Sequence, residues 1–69
     1  MNLLVYFKGT SDNNFTNGRF YNLIKFEDNT HKIERSYFET WFINNNKGIS
    51  YVPYETISAF NKNWELVEE

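Results

Sequence analysis

The chain has 69 residues and a net charge of −2 at pH 7, with seven Phe, five Tyr and two Trp but a single His and no Cys. This length predicts one domain, residues 1–69, near the lower size limit for a self-supporting hydrophobic core. The composition excludes disulfides and thiolate chemistry, and the acidic balance excludes a dedicated duplex-DNA binder. Dense aromatic packing or association with a partner therefore has to stabilise the fold.

The first half of the chain alternates between strand-forming runs and polar connections. β-Branched and aromatic residues predict strands at 3–8 and 19–27. The polar loop between them, 9–18, contains one ring, Phe15, which we expect to fold back onto the core as a plug. Residues 28–35 form the next connection, either as a polar loop or as a hairpin turn at Asp28 and Asn29 with an earlier start to the third strand.

In the second half, strands are predicted at 36–43, 49–52 and 64–67. An Asn-rich turn, 44–48, joins the first two of these strands. Pro53 is expected to end the strand at 49–52, because proline cannot donate to a β-ladder. Residues 55–60 then predict a short helical or 3₁₀ turn before the last strand. The chain is therefore predicted to be an all-β domain of five strands.

The second and third predicted strands carry apolar side chains on both faces. A half-buried strand is normally polar on its outer face. Here one face forms the core, and a loop, a second subunit or a ligand covers the other. Two interpretations follow: the long strands of a small barrel bury both faces in part, or an exposed aromatic patch meets a partner. We place inside the core Tyr21, Leu23, Trp41 and Ile43, together with Val5, Ile49 and Leu66.

Two stretches carry a resemblance to SH3-like barrels. Residues 48–54 (Gly-Ile-Ser-Tyr-Val-Pro-Tyr) are similar to the sequence with which SH3 domains pass from the fourth strand into the 3₁₀ turn. Residues 17–23 (Asn-Gly-Arg-Phe-Tyr-Asn-Leu) are similar to the opening of the second strand in such barrels, including small proteins of phages and low-GC bacteria. The resemblance implies a five-stranded SH3-like barrel with a short 3₁₀ or helical turn before the last strand.

The groove with which SH3 domains bind proline-rich peptides is not matched. Pro53 stands at the position of the groove proline, but Thr56 occupies the place of the expected tyrosine. Asp12 is the only acid of the long loop, and Trp41 lies in the middle of the third strand rather than at its start. We therefore expect a shared barrel without polyproline recognition.

The side chains that run reactions are scarce. The only imidazole, His31, lies in the most polar segment of the chain, where an exposed loop histidine is the ordinary interpretation. One His among scattered carboxylates does not reach the ligand count of a zinc site, and Gly9, Gly18 and Gly48 stand alone rather than in a phosphate-binding loop. We predict no enzymatic activity, no metal and no cofactor.

The apolar segments are short, and their lengths bear on localisation. The chain has no run of 18 apolar residues, so no membrane span is predicted. Residues 1–7 are typical of a strand rather than of a signal peptide. We expect a cytoplasmic protein and, given the phage resemblance, one that acts in a bacterial host cell.

Single-stranded nucleic acid is the alternative ligand. Such binders stack bases on aromatic rings beside a basic groove. Tyr21, Tyr37 or Trp41 supply rings, but nine acidic residues outnumber seven basic ones, so this alternative ranks second. The basic residues that would line the groove are Lys8, Lys25, Lys32, Arg35, Lys47 and Lys62.

The prediction is a non-enzymatic protein-binding module that uses an aromatic surface built on strands two and three. The phage resemblance implies a host-takeover or anti-defence factor that inhibits a bacterial protein by stoichiometric contact. A homodimer would also cover the second apolar face. The predicted partner-binding residues are Phe20, Ile24, Phe26, Phe38 and Phe42 on one face, or Tyr37, Trp41, Tyr51 and Tyr54 on the other.

Overall fold

The computed structural model describes residues 2–44 and 48–67. Within them five antiparallel strands form one open sheet in the order β4-β3-β2-β1-β5, and a short helix precedes the last strand. The mostly β prediction with five strands is confirmed. Residues 45–47 of the predicted turn at 44–48, and the last two residues, 68–69, lie outside the described residues. The elements are β1 Leu3–Phe7, β2 Phe20–Asp28, β3 Phe38–Asn44, β4 Gly48–Tyr54, α1 Ile57–Asn63 and β5 Trp64–Leu66.

The connection between β2 and β3 is a loop rather than a tight hairpin turn. The Asn29 backbone N–H donates to the Tyr37 carbonyl over 2.9 Å and closes the base of this loop. The Asp28 side chain accepts from the Thr30 backbone N–H over 2.8 Å, which shapes its first turn. β3 therefore begins at Phe38, and the earlier start offered as an alternative is not adopted.

The boundary prediction at Pro53 was wrong, since β4 continues through this residue to Tyr54. β4 lies at one edge of the sheet, and an edge strand tolerates a proline whose missing N–H is not needed by a neighbour. α1 begins after Thr56, whose hydroxyl accepts from the Ala59 backbone N–H over 3.0 Å. The helix runs directly into β5 without a connecting loop.

A β-bulge in β2 explains why its apolar residues do not alternate. The pairing with β3 shifts between Leu23, opposite Phe42, and Lys25, opposite Trp41, so Ile24 is the extra residue. Side chains alternate on either side of the bulge, but the insertion places the inward-facing Leu23 and Phe26 three positions apart instead of two. The apolar residues that regular alternation would place on both faces of β2 are therefore compatible with a strand that buries only one face.

The core lies between the inner side of the sheet, the long first loop and α1. Val5, Leu23 and Tyr21 face it as predicted, but the assignment for β3 was wrong. Phe42, not Trp41, faces the core, because its ring stacks on Trp64 with centroids 4.2 Å apart. Ile43 and Ile49 consequently project from the outer side of the sheet, and Ile49 is 60% exposed while Leu66 is 55% exposed. The buried apolar residues are Val5, Phe7, Phe15, Leu23, Phe42, Phe60 and Trp64.

The long loop between β1 and β2 closes over the core through Phe15, so the predicted plug is confirmed. Phe15 is 3% exposed. The Asp12 carboxylate accepts from the backbone N–H groups of Asn14 and Phe15, each over 2.8 Å. This local cap turns the loop back toward the sheet. The rings in contact with Phe15 are those of Phe7, Tyr21, Phe42 and Trp64.

Candidate functional site

The outer side of the β3–β4 pair carries a cluster of apolar side chains. The register places Trp41 opposite Tyr51 and Ile43 opposite Ile49. Because side chains alternate along a strand, all four project from the side opposite Phe42. The Trp41 and Tyr51 rings are in contact, with centroids 4.8 Å apart, and Tyr51 is 42% exposed. We refer to Trp41, Ile43, Ile49 and Tyr51 as the outer aromatic face.

One polar atom of this face lacks a partner within the described residues. The Trp41 Nε1 atom is buried and makes no hydrogen bond of acceptable geometry there. A buried N–H without an acceptor costs about 1–3 kcal/mol, so such groups in native folds call for an explanation. The Glu39 carboxylate is the acceptor within reach, since a hydrogen bond from the Trp41 side chain contributes to the lowered pKa of Glu39.

An ion-pair network borders the outer aromatic face on the β2 side. The Lys25 Nζ atom lies 2.8 Å from a Glu39 carboxylate oxygen and 3.3 Å from one of Glu27. Hydrogen bonding to Glu39, and then to Glu27, raises the pKa of Lys25. The hydrogen bond from Lys25 lowers the pKa of Glu39, and the Trp41 indole adds a smaller effect in the same direction. The network leaves more negative than positive charge at this border.

Tyr37 extends the aromatic surface past Tyr51. The Arg35 guanidinium lies 5.0 Å and the Lys32 ammonium 5.8 Å from the centroid of the Tyr37 ring, which are cation–π distances. Desolvation, followed by the proximity of Tyr37, raises the pKa of the Tyr51 hydroxyl. Tyr37 and the two cations over its ring therefore border the face beside Tyr51, and Lys32 lies near enough to Glu39 to contribute to its lowered pKa.

The structure separates the predicted partner-binding residues into two groups. Phe42 is fully buried, so its assignment to the surface was wrong. Phe26 and Phe38 are half-buried against each other, with centroids 5.5 Å apart, and Phe26 also contacts Phe60. The Tyr54 hydroxyl accepts from the Trp64 indole N–H over 2.9 Å and belongs to the core side. Half-buried Ile24 is the bulge residue.

Phe20 lies outside this cluster, at the β1–β2 end of the sheet. It pairs with Tyr6, and the two rings meet edge to face with centroids 5.2 Å apart. Phe20 is 54% exposed. Of the predicted residues, the outer side of the sheet thus brings together Tyr37, Trp41 and Tyr51 and leaves Phe20 at a distance. Strict alternation from a buried Phe42 would have identified Ile43 and Ile49, which the sequence prediction placed inside.

A second apolar feature lies on the opposite side of the molecule. A groove of about 310 Å³ opens between α1 and the β1 and β5 strands. Its floor is formed by Leu23, Phe60 and Trp64, and half-exposed Leu3, Ile57 and Leu66 stand at its rim. The prediction from the sequence did not include this groove, because its residues come from four separate elements.

The described residues contain no group of three or more His, Cys, Asp and Glu side chains arranged to hold a metal ion. His31 is exposed in the loop between β2 and β3. In the part of the chain that the structure describes, no helix has both the length and the apolar character required to cross a bilayer.

Comparison with protein-family models, with curated proteins and with solved structures finds no match to this chain.

Proposed function

We propose that this chain is a non-enzymatic protein-binding module that engages a protein partner through the outer aromatic face. The observation that carries the proposal is the contact between the half-buried Trp41 and exposed Tyr51 rings, beside the 60% exposed Ile49 on the same side of the sheet. Tryptophan and tyrosine dominate the binding energy of protein interfaces. A partner that packs apolar or aromatic groups against Trp41, Tyr51 and Ile49 would remove their exposed surface from water.

The fold proposed for the module is an SH3-like β-barrel. Its support is the strand order β4-β3-β2-β1-β5, the long loop after β1 and the helical segment before β5. The loop carrying Phe15 covers the open side of the sheet, which is how a small barrel protects its core without complete strand pairing.

The resemblance to phage-type proteins extends the proposal to a biological role. A stoichiometric inhibitor in the bacterial cytoplasm, acting in host takeover or against a defence system, requires only a binding surface. The outer aromatic face provides such a surface, and it requires no catalytic side chain.

The test is capture of a partner from bacterial lysate with matched variants. The double variant Tyr51→Ser/Ile49→Ser should lose a stoichiometric partner that the unaltered chain retains, with affinity weakened at least about tenfold. The control Ile57→Ser/Leu66→Ser removes two comparably exposed apolar groups from the opposite side and should retain the partner. Circular dichroism must show the same fold in all variants. Retention by the face variant, or equal loss in the control, would refute the assignment.

A homodimer through the same face is a distinct outcome of this experiment. Sedimentation velocity at micromolar concentration would then show a dimer that the Tyr51→Ser/Ile49→Ser variant converts to a monomer. In that case the partner is a second copy, and a heterologous partner is excluded for this face.

The single-stranded nucleic-acid alternative has one supporting feature, the two cations over Tyr37. It has less support overall because Lys25 is neutralised by two carboxylates at the border of the face. Salt-sensitive retention on single-stranded DNA that is abolished by Lys25→Glu with Arg35→Glu would favour it over protein binding.

A further inference from the structure

A cleft lies away from the outer aromatic face, between the long first loop and the start of β2. Its volume is about 870 Å³, within the range of about 300–1,000 Å³ typical of small-molecule sites. The lining is mostly polar and consists of Asp12, Asn13, Asn14, Thr16, Asn17, Gly18, Arg19, Phe20, Tyr21 and Asn44.

Hydrogen bonds hold the walls of this cleft in place. The Asn17 backbone N–H donates to the Ser11 hydroxyl over 2.8 Å, and its carboxamide donates to the Gly9 carbonyl over 2.9 Å. The Tyr21 hydroxyl accepts from the Thr16 backbone N–H over 2.8 Å. The Asn44 carboxamide donates to the Asn14 carbonyl and ties the loop to the end of β3. A cleft whose backbone is fixed in advance loses little conformational entropy when a ligand binds.

Groups suited to a ligand remain available in this fixed frame. Arg19 lines the cleft and is exposed. Among the described residues it is in no ion pair. The Phe20 ring beside it is 54% exposed and is oriented by its edge contact with Tyr6. The side-chain carboxamides of Asn13 and Asn14 make no hydrogen bond within the described part of the chain. A cation, an open ring and free amide groups therefore meet in one cleft.

These groups match the parts of a nucleotide. A guanidinium binds phosphate with two parallel hydrogen bonds, and an aromatic ring stacks on a planar base. Asparagine carboxamides pair with the donor and acceptor edges of bases. The only acid of the lining, Asp12, accepts two backbone N–H groups over 2.8 Å each, so its charge is partly compensated inside the loop.

We propose that this cleft binds a nucleoside monophosphate, with the phosphate on Arg19 and the base on Phe20. The site is independent of the outer aromatic face, since none of the residues that define that face lines it. A nucleotide would thus be a second ligand of the chain, and its binding does not depend on the proposed protein partner.

The probes are the monophosphates of adenosine, guanosine, cytidine and uridine, the matching nucleosides and inorganic phosphate. Binding of each probe is followed by amide chemical shifts at low salt. At least one monophosphate should bind saturably and shift amides of residues 12–21, with affinity at least about tenfold above its nucleoside and above phosphate. Arg19→Gln should weaken the monophosphate at least about tenfold and leave the nucleoside unchanged, whereas Phe20→Ala should weaken both.

Two controls keep the result specific. Lys62→Gln removes a charge from the exposed face of α1, and Ile57→Ala removes an exposed apolar side chain there; neither should change nucleotide affinity. The proposal is overturned if no monophosphate binds saturably at millimolar concentration, or if binding survives both Arg19→Gln and Phe20→Ala. Equal affinity for phosphate and nucleotide would also overturn it, since the cleft would then be an anion site alone.

Discussion

Replacing Phe15 with alanine tests whether one loop residue holds the core closed. The ring is nearly fully buried, although it belongs to a ten-residue polar segment, 9–18, and not to a strand or helix. It contacts four rings at centroid distances of 5.4, 5.1, 5.3 and 4.9 Å. The substitution leaves a cavity that this loop and the sheet can fill only by moving.

The expected loss of stability is large relative to the total stability that the core of this domain supplies. A buried Phe→Ala change costs about 3–5 kcal/mol. The core of so small a domain supplies roughly 3–5 kcal/mol in total. We therefore expect Phe15→Ala to be largely unfolded at 25 °C in the absence of stabilising co-solvent. Phe15→Leu keeps most of the volume and loses ring contacts, so about 1–2 kcal/mol is expected.

The assay is urea unfolding of both variants, followed by tryptophan fluorescence and by circular dichroism. The two signals are needed because Trp64 contacts Phe15 directly, and its fluorescence would change even in a folded variant. Phe20→Ala is the matched control, since it removes the same side chain from an exposed position and should cost less than about 1 kcal/mol. A Phe15→Ala variant that loses no more stability than this control would refute the plug.

Three further changes test the turn, the core polar bond and the ion pair. Gly18 has φ of +88°, and a Cβ there would meet the Tyr6 hydroxyl oxygen at 3.8 Å, an ordinary contact, so Gly18→Ala should lower the free energy of unfolding by about 1–2 kcal/mol through backbone strain, measured by urea unfolding. Thr40→Val keeps the shape of a fully buried residue but removes its hydrogen bond to the Val52 carbonyl; a loss of about 1–3 kcal/mol is expected, and Thr40→Ser should retain the bond. The folded pKa of Glu39 is lowered and that of Lys25 is raised, so their mutual stabilisation is full between pH 4.5 and 10.5. It should be lost as pH falls through the lowered pKa of Glu39 or rises through the raised pKa of Lys25. Thermal melts of Glu39→Gln should lack the acid dependence from Glu39 and show a weaker alkaline dependence, because Glu27 still raises the pKa of Lys25.

Strand identity was readable from the sequence because β-branched and aromatic runs are separated by Asn- and Gly-containing turns. The ring of Phe15 was also predictable, since a lone Phe in a polar loop gains most by burial. The end of β4 was not, because the effect of Pro53 depends on whether the strand is central or at an edge. That position is set by pairing with distant residues.

The inner and outer faces of β3 could not be assigned from the sequence. Phe42 and Trp41 are both large and apolar, so alternation along β3 is equally compatible with either of them facing the core. The stacking of Phe42 on Trp64, a residue 22 positions away along the chain, decides the orientation. The cleft beside Arg19 was missed for a similar reason, since its lining depends on how the loop 9–18 folds over the sheet.

The single extra residue at Ile24 makes the length of β2 as consequential as its composition. Deleting Ile24 would leave Leu23 and Phe26 two positions apart, so both would still face the core in a regular strand, and Lys25 would keep its place opposite Trp41. If all nine residues were paired without the bulge, regular alternation would instead turn Phe26 to solvent and Lys25 toward the core. The extra residue therefore allows β2 to keep Phe26 inside and Lys25 outside, and this role depends on its position in the pairing rather than on its side chain.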